Sequence, residues 1–248
     1  MLEREVSRRD AVRGAGMLGV GVALATMPVL MAGFARRAFA QAPLPNSIIN
    51  PLNFALVLEY LEADFYQMGL DASGLIPSED RAIFEQVNKH EQAHVAFLSG
   101  VLGNKAAIRP EWDFTAGGAF DPFNDYPTFM LIAQGLEDTG VRAYKGQAGN
   151  VASNDDILTA ALRIHSVEAR HASEIRRLRG EKGWIPLNQA NAPAAFAAVY
   201  AGEENTTHLG IDVAGFEGAE AGSEAFDEPL DVEAVLAIAG TFGTGTRS

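Results

Sequence analysis

Cysteine is absent from this chain of 248 residues, which excludes disulfides, thiolate metal sites and thiol nucleophiles. Histidine and carboxylate are left as its strong metal ligands. Basic charge is also scarce, with 19 Lys and Arg against 32 Asp and Glu, a net −13. Residues 1–40 hold 6 of those bases and 3 of the acids, so the rest has 13 bases against 29 acids, or −16. Such a surface argues against nucleic acid or an anionic membrane as partner. What the chain does have is apolar content, 48%, enough for a full core.

The first 40 residues read as an address. "SRRDAVR", Ser7 to Arg13, precedes the uncharged stretch Gly14 to Gly33 and then Ala38-Phe39-Ala40, a small-x-small cleavage site. The segment resembles a twin-arginine export signal, with Ala11 where such signals usually carry Phe. That resemblance implies a periplasmic or secreted protein, free of the membrane once cleaved. An uncleaved anchor is the competing reading, because 20 uncharged residues can span a bilayer.

Beyond the signal the pattern is all-α. Asn50 reads as the N-cap and Pro51 as the first residue of a helix reaching about Leu70. Ser78 caps a second, which ends at Gly103. A third starts near Pro127 and runs through "YPTFMLIAQGLEDTGVRAYKG". The fourth follows Asn154, opens on Asp155 and Asp156 and closes on the basic "RRLRG", matching the helix dipole at both ends. Links within each pair are short and favour antiparallel neighbours, while Lys105 to Tyr126 is one long connection. Two antiparallel hairpins joined by a crossover form the ferritin-like four-helix bundle topology. Residues 181–229 are too rich in Ala and Gly to assign, and a short fifth helix is expected over 231–239, capped by Asp231.

Chemistry enters through a repeated motif. Helix 2 carries Glu91-x-x-His94 and helix 4 carries Glu168-x-x-His171, and residues three apart share a helix face. Glu59 precedes Glu91 by 32 residues and Glu137 precedes Glu168 by 31; Tyr66 and Tyr144 each follow the first glutamate by seven. Stacked hairpins would project Glu59, Glu91, His94, Glu137, Glu168 and His171 into one core as ligands for two Fe or Mn ions. Glu59 and Glu137 lie in "FALVLEYL" and "MLIAQGLE", where an unpaired carboxylate is costly and a metal pair removes that cost. Glu62 shares the face of Glu59, so either could be the helix 1 ligand; only Glu59 keeps the seven-residue spacing to a tyrosine seen in helix 3, and Glu62 then reads as a residue that supports a ligand or lies on the surface. Tyr66 and Tyr144 either hydrogen-bond ligand carboxylates or find some other partner. His165 falls 240° from His171 around the helix and faces elsewhere. His208 reads as a surface residue.

"LNFALVLEYLEADFY", "KHEQAHVAFL", "LEDTGVRAYKG" and "SVEARHASEIRRLRG" resemble the ferritin-like domain family that includes desiccation-related proteins, as does "FDEPLDVEAVLAIA" near the C-terminus. The resemblance spans roughly residues 46–180. It implies a ferritin-like fold, with the superfamily's metal ligands on Glu59, Glu91, His94, Glu137, Glu168 and His171. The three parts are then a signal over 1–40, a bundle over 46–180 and an extension over 181–248.

The expected activity follows: an oxidoreductase-type centre acting on O2, peroxide or ferrous iron in oxidative or desiccation stress. Assembly as a homo-oligomer fits this reading, and a storage cage fits it less well. Two other readings compete. One is a metal-free helical stress or interaction protein, with Glu and His in buried hydrogen bonds. The other is a zinc protease using His90 and His94 of "HEQAH" with Glu91 as base, although Phe97 and Gly100 stand where the extended signature needs Gly and His.

Overall fold

The computed structural model describes residues 44–189 and 192–244. The export-signal reading, over 1–40, lies outside them. Four long helices dominate: α1 (Asn46–Asp71), α2 (Ser78–Leu102), α3 (Tyr126–Val151) and α4 (Asp155–Leu178). α1 packs on α2 and α3 on α4 as hairpins; the hairpins meet through α1 and α3, while α2 and α4 approach each other less closely. None of the described helices is long and apolar enough to cross a membrane.

Helix starts differ from the sequence expectation in two places. α1 begins at Asn46, one turn before Asn50, so Pro51 stands inside the helix. The extra turn buries Ile48, and that packing offsets the one backbone hydrogen bond Pro51 cannot donate. Ser78 is not a cap: it is the first helical residue after Pro77, and its hydroxyl donates to Glu79 instead (3.2 Å). α3 and α4 start as expected, with Asp125 and Asn154 accepting from the backbone N–H groups of Thr128 and Ile157. α3 runs past Gly146 to Val151.

The crossover is fastened along α1. Asn53 donates to the Lys105 carbonyl (2.9 Å) and accepts from the Ala107 N–H (2.6 Å), and Arg109 reaches Asp64 (2.5 Å) while lying over the ring of Tyr60. Phe114 and Phe123 then enter an aromatic cluster around Phe65, whose ring stacks on Phe129 of α3 (4.8 Å, 11°).

The extension past α4 is held by two buried arginines. Arg142 of α3 pairs with Glu203 (2.8 Å) and donates to the carbonyls of Val199, Ala201 and Glu228. Burial pushes Glu203 up to about 7 against the pull of Arg142. Arg176, in the "RRLRG" read as dipole compensation, is buried on Asp138, donating through Nε (3.0 Å) and Nη2 (2.5 Å); Tyr200 adds a hydroxyl to the same carboxylate (2.9 Å). Gly146 lets the chain run close to α3, since a Cβ there would sit 2.0 Å from the Leu230 carbonyl oxygen. Within this extension are a 3-10 helix (Ala194–Tyr200), a two-stranded hairpin (Thr207–His208 with Ile211–Asp212) and two short helical turns. α5 (Val232–Ala239) follows, capped by Asp231, and packs on α3 and α1.

Candidate metal centre

Each long helix turns one face inward at the same level of the bundle. α1 contributes Glu59, then Glu62 and Tyr66 on the following turns; α3 contributes Glu137, Gly140 and Tyr144 in the same order; α2 and α4 contribute the Glu-x-x-His pairs. Glu59, Glu91, Glu137 and Glu168 are completely buried, and His94 and His171 are 9% and 5% exposed.

The six residues form two quartets. Glu59, Glu91, His94 and Glu168 each offer one ligand atom, all within 4.8 Å of one another, and so do Glu91, Glu137, Glu168 and His171. Glu91 and Glu168 belong to both. Nδ1 of His94 lies 3.1 Å from Glu59, 3.2 Å from Glu91 and 3.0 Å from Glu168. Nδ1 of His171 lies 2.9 Å from Glu91, 3.3 Å from Glu137 and 3.8 Å from Glu168. Both imidazoles thus turn the same nitrogen inward.

The tyrosines cross between hairpins. Tyr66 of α1 donates to Oε1 of Glu137 on α3 (2.6 Å), and Tyr144 of α3 donates to Oε1 of Glu59 on α1. Each fixes one oxygen of a carboxylate and leaves the other facing the centre.

Crowding so many buried acids together shifts protonation within the cluster. Burial, and then the charge of Glu168, holds Glu91 well above the usual carboxylate range; burial raises Glu137 to about 7 although His171 opposes it. Burial alone would lower both histidines, but Glu59 beside His94 and Glu137 beside His171 raise them well above their ordinary value. Glu168, between the two imidazoles, is lowered in spite of its burial. Among the described residues no Lys or Arg pairs with any of these four glutamates.

The donor set fits a pair of cations. Glu91 Oε1, Glu137 Oε2, both carboxylate oxygens of Glu168 and His171 Nδ1 are buried without a properly directed hydrogen bond, a costly state for polar atoms. Four carboxylates carry the charge that two divalent cations would cancel, and two neutral imidazoles complete a ligand type suited to such ions. The cluster is compatible with a metal site.

Residues 47–181 match the model of the ferritin-like domain. The chain belongs to the ferritin-like domain family. Its long helices, paired in two hairpins, form the ferritin-like bundle. Among curated proteins nothing matches the chain.

Other sequence candidates in this ferritin-like protein sort by position. Glu62 is not a surface residue: it is 3% exposed, accepts no hydrogen bond among the described residues, and belongs to neither quartet. Its Oε1 and Oε2 of Glu168 lie 3.0 and 3.6 Å from the point that a Cβ on Gly140 would occupy, so the missing side chain leaves room for both acids. Burial, then Glu168, raises Glu62 well above the usual range. His165 faces away, half-buried near Lys145 and Asp227, and His208 packs on Phe226 (3.8 Å). His90 joins no group of three or more ligand atoms among the described residues, whereas His94 turns its Nδ1 into the carboxylate cluster. Nδ1 of His90 instead meets Nε2 of His171 (2.8 Å), a contact that local spacing within one helix could not reveal.

Proposed function

We propose that the cluster holds two Fe or Mn ions through Glu59, Glu91, His94, Glu137, Glu168 and His171, and that the protein uses them on O2, peroxide or ferrous iron. The observation that carries this is the pair of buried quartets sharing Glu91 and Glu168, with five ligand atoms lacking a hydrogen bond. Ions of this type, when bound, supply the electrons exchanged with oxygen species. The chain's own residues do the rest. Glu91 and Glu168 keep the two positions adjacent, Tyr66 and Tyr144 hold the outer carboxylates in place, and the packed helices exclude bulk water.

The site of action belongs to the same proposal. The twin-arginine-type N-terminus supports export to the periplasm or beyond, where a protective role in oxidative or desiccation stress fits the family resemblance; the acidic surface supports small substrates rather than nucleic acid as partners.

Elemental analysis of mature protein recovered from its exported compartment, beside Glu168→Ala, tests the metal reading. The expected result is about two Fe or Mn per chain, largely lost in the variant. One zinc that survives the substitution would return "HEQAH" to contention, and absence of metal from both would favour the metal-free helical protein.

A further inference from the structure

The two hairpins repeat one pattern, and the repeat makes its exceptions visible. Glu59 corresponds to Glu137, Tyr66 to Tyr144, Glu91 to Glu168 and His94 to His171. The residue before Glu91 is His90, whereas the residue before Glu168 is Val167. His90 lands on the outer nitrogen of His171.

His171 is held from both sides. Its Nδ1 faces the carboxylates, while its Nε2 lies 2.8 Å from Nδ1 of His90, the two rings being nearly parallel (9°). His90 is fixed in turn: its Nε2, which carries the ring proton when Nδ1 accepts, lies 2.7 Å from the side-chain amide of Gln86, one turn earlier on α2, and donates to that amide once it is turned to present its oxygen. A metal on Nδ1 of His171 leaves the ring proton on Nε2, which donates to His90. His94 has no equivalent: its Nε2 has no hydrogen-bond partner among the described residues, and the aliphatic Val167 could not accept one.

We infer that His90 is a positioning residue for His171 and that it makes the two metal positions unequal, the one that includes His171 being the tighter. The inference rests on the metal reading above. A hydrogen-bonded imidazole is oriented before the cation arrives and is a better donor, and loss of such an outer partner costs about 10- to 100-fold in metal affinity. The other position, with an imidazole held only by its inward face, lacks that gain.

Cobalt(II) titration of the chelated full-length mature protein, read by visible absorbance and calorimetry, tests it. Wild type should show two separable binding steps. His90→Ala should weaken the tighter step by about 10- to 100-fold and leave the other within about two-fold, and His90→Gln, whose amide oxygen can accept, should recover most of the loss. Melting curves of both metal-free variants check folding. Two unchanged steps in His90→Ala, or two steps weakened alike, would overturn the role of His90. No cobalt uptake by wild type would instead overturn the metal reading.

Discussion

The hydroxyl of Tyr144, on α3, donates to Glu59, on α1, and so ties the second hairpin to a carboxylate of the first. Tyr66 returns the connection to Glu137. Each hairpin therefore orients a glutamate that belongs to the other. Tyr144→Phe should cost roughly 1.5–3 kcal/mol, the range for a hydrogen bond to a charged group, and should weaken Mn(II) binding about ten-fold. Urea unfolding of the chelated protein and competition with a chelator measure the two effects; a variant unchanged in both would show the hydroxyl to be incidental.

The acids of the centre make the metal-free protein sensitive to alkali rather than to mild acid. Glu137, raised to about 7, and Glu91, also raised, hold protons in the folded state that the unfolded chain has already released, so their contribution falls as pH rises from about 4.5 through 7. His94 and His171, raised by the surrounding carboxylates, act in the same direction above their unfolded value. Glu168, lowered, is lost only at acid pH. Thermal melts after chelation should thus show stability dropping between pH 5 and pH 8, by roughly 1–3 kcal/mol. Mn(II), which displaces the protons, should abolish the drop; stability that rises over this range would contradict the protonation pattern.

Gly140 opens the gap that Glu62 and Glu168 share. Gly140→Val should crowd Glu168 and reduce retained metal by roughly half or more, since side chains supporting a ligand matter nearly as much as the ligand. Glu62→Gln should leave metal content intact, because Glu62 is outside both quartets, and should raise the stability of the chelated protein at pH 8 by about 1 kcal/mol, because folding no longer buries an acid whose charged form is disfavoured by burial and by Glu168. Metal loss in Glu62→Gln would make it a ligand.

The extension depends on Arg176 independently of the centre. Arg176→Met strands the Asp138 carboxylate and should destabilise by about 3–5 kcal/mol, while the paired change Arg176→Met with Asp138→Leu should recover much of it. Denaturant melts report the energies, and cobalt stoichiometry should stay at the wild-type value in both.

Sequence reading succeeded where the signal was local. The start of α4 after Asn154, the cap at Asp231 and the two Glu-x-x-His pairs are set by neighbours within one or two turns, and they sit where spacing puts them. It fell short where distant residues decide. The buried Ile48 extends α1 past the apparent cap, and Arg142 and Arg176 shape residues 181–229 although both look like ordinary helix-surface bases in the linear chain. Asp138 inside the apolar run of α3 was a signal that could have been read, since a charge there needs a partner. His90 gave no such sign, because its partner lies 81 residues away.

Each hairpin by itself carries two glutamates and one histidine of the six, too few to complete either quartet. The crossover of residues 106–125, fastened to α1 by Asn53 and Arg109, is therefore what keeps two half-chelators at high effective concentration, on the order of millimolar for a short tether. Nicking that segment would make the union of the two half-chelators bimolecular, held by the packing of α1 on α3 and drawn tighter by any cation they share.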